Sequence, residues 1–187
     1  MSDIKQVILV RLGYPDGKGG TRKIRFGKLA SQVAHASMKV FLDRGTVETI
    51  HGDRDEPGLV ISLTPEMETW VRGSFAKIVL SVEDEATLLE AYALAKDAGL
   101  PASLIRDEGR TEFKKECGSC VGSGFLFEFL GSQDELLDPP KQVTCPECKG
   151  KGKVNAPTYT TVAIGPARVE EIDKITGPQG IIPTKLA

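Results

Sequence analysis

The stretch FAKIVLSVEDEATLLEAYALAKDAGLPASLIRDEGRT, Phe75 to Thr111, decides the fold. Its opening, Phe75 to Val82 (FAKIVLSV), has the length and β-branched content of a strand. Asp84 to Ala98 (DEATLLEAYALAKDA) begins with acids and runs into Gly99, the two signals that start and stop a helix. Pro101 to Ile105 then reads as a second strand. A helix between two closely spaced strands is a building unit of an α/β fold.

The same alternation extends outward. Ile4 to Val10 (IKQVILV) is an apolar run of strand length, and Gly13 to Gly20 is turn-rich and reads as a mobile loop. Lys28 to Leu42 (KLASQVAHASMKVFL) has apolar residues at Leu29, Val33, Ala36, Val40 and Phe41, a helical spacing, with Gly27 at its start. Asp43 to Pro57 is polar and reads as loop or frayed helix, and Gly58 to Leu63 as a short edge strand. Pro65 suits the first position of a helical turn with Thr64 as its N-cap. Beyond Thr111, Lys114 to Asn155 changes character: it holds every cysteine, many glycines and the Pro139–Pro140 pair. Tyr159 to Ile164 resumes as strand, Pro166 to Ile175 as a short helix, and Gly177 to Ala187 as an irregular tail.

The expected fold is therefore α/β, a three-layer sandwich with a mixed four-stranded sheet flanked by helices, plus a small inserted zinc-binding hairpin module. Residues 1–113 and 156–187 form the main domain and 114–155 the insertion, with the last two core strands an antiparallel pair. An insertion at a hairpin tip adds little loop-closure entropy.

Of 187 residues, 40% are hydrophobic and 27% charged, an ordinary soluble balance. No apolar run reaches the roughly 18 residues of a membrane span, and MSDIKQVILVRLG does not read as a secretory signal, so the cytoplasm is the expected compartment. The net charge of −2 excludes a polycation; a nucleic-acid role must rest on a local patch. Lys18, Arg22, Lys23, Arg25 and Lys28 form such a patch with no acid among them, between a strand and a helix. The plainer reading is a solvated basic loop.

The four cysteines form two CxxCxGxG segments, CGSCVGSG (Cys117 to Gly124) and CPECKGKG (Cys145 to Gly152). Each CxxC places two thiolates on one metal, and Cys117, Cys120, Cys145 and Cys148 together complete a tetrahedral set. Four thiolates suit one zinc ion, with a rubredoxin-like iron the rarer option. The site is expected to be structural, since it leaves no open position for water. Free thiols or a redox pair are the alternative. The repeat resembles the cysteine-rich zinc region of DnaJ-type co-chaperones, which supports a metal and not chaperone activity.

Four further blocks carry a resemblance over most of the chain: VILVRLG with GKLASQVAHA (Gly27 to Ala36); the Phe75 to Thr111 stretch; APTYTTVAIGPARVEEIDKITG (Ala156 to Gly177); and Trp70. In this order, GK-x₃-Q-x₂-H, D-x-G-R-T and the IGPA…DK-T-G ending resemble type 2 (archaeal and eukaryotic) peptidyl-tRNA hydrolases. The resemblance implies hydrolysis of the ester between a peptide and the 3′ end of tRNA, which recycles tRNA. It places the family's functional residues on Lys28, Gln32, His35, Asp107, Arg110, Thr111 and Thr161. Ala34 stands where the family often has serine, so that hydroxyl is absent or moved to Ser31 or Ser37.

Ester hydrolysis needs an oriented water and a stabilised oxyanion. Lys28 and Gln32, four apart, share a helix face near its positive N-terminal end, and His35 lies close to that face. Lys28 can donate to the carbonyl oxygen or a phosphate. Asp107, at a strand end, can orient water or pair with Lys28 in a shared cleft, and Thr111 and Thr161 can position water or carbonyl. Each has a plainer reading: His35 a packed side chain, Gln32 an exposed helix residue, Asp107 a turn former beside Gly109 and Arg110, Thr161 plain strand propensity. No serine or cysteine with a partnered base is evident, which favours direct water attack without a catalytic cofactor.

Arg22, Lys23, Arg25 and Arg110 are the expected substrate contacts, gripping tRNA phosphates without reading bases. Lys149, Lys151 and Lys153 add a second cluster, for the acceptor stem or a ribosomal partner, or else the module only caps its hairpin. Peptidyl-tRNA and the ribosome are the expected partners, with a homodimer open and no membrane. The competing readings are a non-enzymatic RNA- or ribosome-associated zinc protein on the same fold, and a co-chaperone fragment that leaves most of the chain unexplained.

Overall fold

The computed structural model describes residues 3–16, 20–128 and 140–187, in two units: residues 3–16, 20–106 and 159–187, and residues 107–128 and 140–158. Lys18 and Pro139 lie outside the described residues. In chain order the elements are β1 (Ile4–Arg11), β2 (Tyr14–Pro15), β3 (Thr21–Arg22), α1 (Phe26–Leu42), β4 (Gly45–Ile50), β5 (Glu56–Ile61), α2 (Pro65–Arg72), β6 (Lys77–Val82), α3 (Glu85–Asp97) and β7 (Ala102–Asp107). β8 (Lys114–Glu116), β9 (Phe125–Glu128), β10 (Lys141–Thr144) and β11 (Lys153–Asn155) belong to the second unit. β12 (Thr158–Arg168), α4 (Val169–Thr176) and β13 (Lys185–Leu186) follow.

The first unit is built on a mixed sheet of five strands in the order β13-β6-β1-β12-β7. β1 is central. It pairs in parallel with β6, Gln6 opposite Lys77 through Arg11 opposite Val82, and antiparallel with β12, Ile4 opposite Arg168 through Val10 opposite Thr161. A strand hydrogen-bonded on both edges and covered on both faces must be apolar throughout, which explains the uninterrupted VILV run. Its side chains alternate. Val7 and Leu9 join a core with Leu88, Ala91 and Ala95 of α3 and Ile172 and Ile175 of α4. Ile8 and Val10 join another with Ala36 and Val40 of α1 and Met67 of α2.

The helix ends follow local chemistry. Asp84 caps α3 by accepting the Thr87 N–H at 2.8 Å, and Gly99 takes φ +72° just past its end. Thr64 caps α2 by accepting the Met67 N–H at 3.2 Å. Trp70 of α2 is fully buried; its Nε1 donates to the Ala76 carbonyl at 2.8 Å, and its ring lies 4.0 Å from that of Phe75 and 5.7 Å from that of Phe41.

Three sequence expectations are corrected. The sheet has five strands rather than four, because Lys185–Leu186 in the supposedly irregular tail pairs antiparallel with β6, Lys185 opposite Ser81. Asp43 to Pro57 is not loop or frayed helix: β4 and β5 form a hairpin from Gly45 opposite Ile61 to Ile50 opposite Glu56. The β-branched residues Thr46, Val47, Thr49 and Ile50 favour that extended backbone. Finally, β12 runs through Pro166 to Arg168, so α4 begins at Val169.

Candidate functional site

α1 starts at Phe26 with Arg25 in extended conformation before it, and its first turn has no acid. Lys28 therefore stands in the first turn, half-buried, where the unpaired amides of the helix end add positive potential. One turn on, Gln32 is buried, on the stripe of Ala36 and Val40 that packs against the sheet. The exposed-helix-residue reading of Gln32 is thereby corrected. Its Oε1 accepts a hydrogen bond from the Thr160 hydroxyl at 2.7 Å, and that hydroxyl also lies 3.4 Å from the Ile105 carbonyl. A buried amide held this way keeps one orientation, with Oε1 committed to Thr160.

Thr160 was not singled out in the sequence; its neighbour Thr161 was. Thr161 is fully buried opposite Val10, and its hydroxyl lies 3.4 Å from that of Thr160. Both threonines sit at the N-terminal end of β12, which runs antiparallel to β1 and so lies beside that strand's C-terminal end. There Arg11, buried, donates from Nε to the Gly13 carbonyl at 2.6 Å, pairs with Glu85, and stands 4.8 Å over the ring of Tyr14.

His35 is exposed on α1, with its Nε2 3.2 Å from the Ser31 hydroxyl. Ser37 is occupied elsewhere, donating to Gln6 Oε1 at 2.7 Å. Of the two serines raised as stand-ins for the hydroxyl missing at Ala34, Ser31 is the one that meets the histidine. Arg22, Lys23 and Arg25 are exposed.

Asp107, Arg110 and Thr111 belong to the second unit. Asp107 is buried and its Oδ1 accepts the Gly109 N–H at 2.8 Å, a turn of the kind aspartate favours. Arg110 and Thr111 are exposed, and the Arg110 carbonyl accepts from Lys114 Nζ at 2.8 Å.

The four cysteines of this unit are all buried, and their Sγ atoms lie within 4.8 Å of one another. Cys117 and Cys145 are 3.8 Å apart, Cys120 and Cys148 3.7 Å. A tetrahedron with metal–sulfur bonds of about 2.3 Å has edges of about 3.8 Å. The set can hold a metal ion. The two halves repeat each other. Gly124 N–H points at Cys120 Sγ at 3.2 Å and Gly152 N–H at Cys148 Sγ at 3.3 Å. Val121 and Lys149 take φ +48° and +52°, and the following Gly122 and Gly150 take +80° and +78°. A side chain at Gly124 or Gly152 would collide with the carbonyl of the opposite half, at 2.5 Å from Gly150 and 2.1 Å from Gly122. These glycines interlock the halves. Burial pushes the Cys117 thiol up to about 12. Burial also opposes ionisation of Cys120, but the Gly124 amide and the neighbouring thiols outweigh it and bring that group to about 7.

Among the described residues, no helix is long and apolar enough to cross a membrane.

Comparison with known proteins places this chemistry. The family model for peptidyl-tRNA hydrolase PTH2 matches residues 4–125. The chain is 39% identical to a peptidyl-tRNA hydrolase of Methanopyrus kandleri over 120 residues, 64% of this chain and 83% of that protein. It is 29% identical to one from Methanocaldococcus jannaschii over 174 residues, covering 93% and 96% of the two chains. A third, from Sulfolobus acidocaldarius, is 33% identical over 121 residues, 65% and 86%. With the matched region spanning β1, α1, β6, α3 and β7, this chain belongs to the PTH2 family of peptidyl-tRNA hydrolases.

Proposed function

We propose that this peptidyl-tRNA hydrolase cleaves its ester by direct attack of water, with Lys28 and Gln32 as the groups that bind the developing oxyanion. The observation that carries this is the buried Thr160–Gln32 hydrogen bond, because it fixes a side-chain amide one helical turn along from Lys28 at the helix N-terminus. Preorganised donors of this kind stabilise charge that develops in the transition state without having to reorient.

In the proposed reaction the water oxygen bonds to the ester carbonyl carbon and gives up a proton. The carbon–oxygen bond to the 3′ ribose breaks, that oxygen takes up the proton given by the water, and the peptide carboxylic acid so formed releases its remaining proton to solvent, leaving a peptide carboxylate and tRNA with a free 3′ hydroxyl. Asp107 and Thr111 are assigned to orienting the water. Thr161 and Thr160 hold the Gln32 side of the site, and His35 with Ser31 is the exposed proton carrier. Supporting the role of Asp107 is its buried carboxyl at the end of β7, held in one orientation by the Gly109 N–H at 2.8 Å. Arg22, Lys23, Arg25 and Arg110, all exposed, are assigned to the phosphates of tRNA.

The four-cysteine set is assigned one structural zinc, supported by sulfur separations that match a tetrahedral edge. Cys117, Cys120, Cys145 and Cys148 would hold the ion as thiolates, and it would tie the two halves of the repeat together without taking part in catalysis. With residues 114–155 as an inserted module, the remainder forms the hydrolase domain, its helices covering both faces of the sheet.

Release of labelled peptide from purified peptidyl-tRNA tests the reading. Lys28→Ala is expected to lose at least about tenfold in turnover, since single electrostatic donors contribute on the order of 10² to 10³, while its circular dichroism stays that of the parent. Wild-type turnover in that variant removes Lys28 from the mechanism. Asp107→Asn, which keeps shape but not charge, should fall comparably.

A further inference from the structure

The second unit carries a surface the hydrolytic reading does not use. β9 and β10 form a two-stranded hairpin with Lys141 opposite Glu128, Gln142 opposite Phe127, Val143 opposite Leu126 and Thr144 opposite Phe125. Cross-strand partners share a face. Leu126 packs against the cysteine cluster, so the other face presents Phe125, Phe127, Gln142 and Thr144 outward. Phe127 is 62% exposed and Phe125 41%. Two aromatic rings at alternate positions of one strand, out in solvent, have no role in the cysteine core.

Their surroundings select the ligand. Beside the rings the face offers only polar groups, Gln142 and Thr144. At the Phe125 end the Thr144 methyl lies against Gly150, 3.3 Å from where a Cβ would stand, and Gly150 is flanked by the exposed Lys149 and Lys151. The nearby acid Glu147 is turned to the cysteine side, accepting from the Ser119 hydroxyl and lying 3.4 Å from Cys117 Sγ. Flat apolar rings edged by amide, hydroxyl and ammonium groups suit a flat, anionic chain. Unpaired bases stack on such aromatics, and lysines take the phosphates. A polypeptide strand would want aliphatic side chains beside the rings, and among the described residues of this face the cross-strand partners of the rings are Gln142 and Thr144.

We infer that the outer face of the β9–β10 hairpin binds unpaired nucleotides, the single-stranded 3′ end of the tRNA substrate, by stacking bases on Phe125 and Phe127. This rests on the chain acting on peptidyl-tRNA. The rings supply sequence-tolerant affinity, because every base has a face to stack.

The test uses the full-length protein and a short fluorescent single-stranded RNA. The Phe125→Ala, Phe127→Ala double variant should bind it about tenfold more weakly, and Phe127→Tyr should bind like the parent because it keeps a ring. The double variant should also raise KM for peptidyl-tRNA and leave kcat unchanged. Both phenylalanines are solvent-facing, so a fall in RNA affinity with an unchanged melting curve reports the surface itself. Equal affinity in parent and double variant overturns the inference, as does a parent that binds no RNA or binds an unfolded polypeptide through these rings instead. A parent that binds RNA through Phe125 and Phe127 but releases no peptide supports the surface and sinks the hydrolytic reading alone.

Discussion

Thr160→Val removes one hydroxyl and keeps the shape and strand preference of the side chain, so it isolates the hydrogen bond to Gln32. Both groups are buried, Thr160 at 1% exposure and Gln32 at 3%. At 2.7 Å the bond is a short, well-formed contact between neutral groups. Withdrawing the donor from a buried acceptor costs about 1–3 kcal/mol, since the Gln32 oxygen loses this partner without regaining water. In a chain of this size that lowers the melting temperature by about 2–12 °C. The kinetic effect is separate. If Thr160 fixes the amide that faces the oxyanion, about 1.4 kcal/mol of lost transition-state stabilisation gives a tenfold fall in kcat with KM little changed. Thr160→Ser should recover most of both. In a double-mutant cycle with Gln32→Ala, the two losses should be far from additive. Peptide release from peptidyl-tRNA and thermal melts of the four proteins give every number. The reasoning is refuted if Thr160→Val melts and turns over like the parent, or if its kinetic loss adds fully to that of Gln32→Ala.

Elemental analysis should find one equivalent of zinc, and a strong chelator should expose four thiols to a thiol reagent and strip hydrogen-exchange protection from residues around Cys117–Gly124 and Cys145–Gly152; no stoichiometric metal refutes the assignment. Gly152→Ala, at φ +68° and with its Cβ 2.1 Å from the Gly122 carbonyl, should weaken metal retention in a chelator competition without changing the thiol count. Asp84→Ala should cost about 0.5–2 kcal/mol in denaturant unfolding. The Thr87 amide holds the Asp84 carboxyl below its ordinary value. That stabilisation is complete above the unfolded carboxylate pKa of about 3.9 and fades as pH falls through the lower folded value, so parent and variant should converge in acid.

How much of this was legible follows from where each signal resides. α3 could be read to within a residue or so because its cap, its acids and Gly99 are all local. The grouping of the four cysteines was legible for a similar reason, since their two halves repeat one local pattern, and their sulfurs lie within 4.8 Å of one another. The β4–β5 hairpin could not, because it has no buried side to impose alternation: Val47 is 76% exposed and Leu59 50%. β13 escaped because two residues carry no period; only the exposed edge of β6 makes them a strand. Gln32 was readable in part. Its spacing with Ala36 and Val40 marks the inward stripe, but polarity argued for the outside, and only a partner across the core reconciles the two. That partner was ambiguous for a different reason. Adjacent threonines cannot be ranked until the register against β1 is known, and the register puts Thr161 opposite Val10 while Thr160 reaches Gln32.

The chain enters and leaves the cysteine unit through β8 and β11, which are zipped to each other: Lys114 faces Asn155, Glu116 faces Lys153, and the Ala156 N–H reaches the Phe113 carbonyl at 2.8 Å. A segment whose two ends are already clasped can be lengthened at little entropic cost, since doubling a closed loop costs only about 0.6 kcal/mol. An engineer could therefore splice extra residues, such as an affinity tag, into the segment between the two clasped strands.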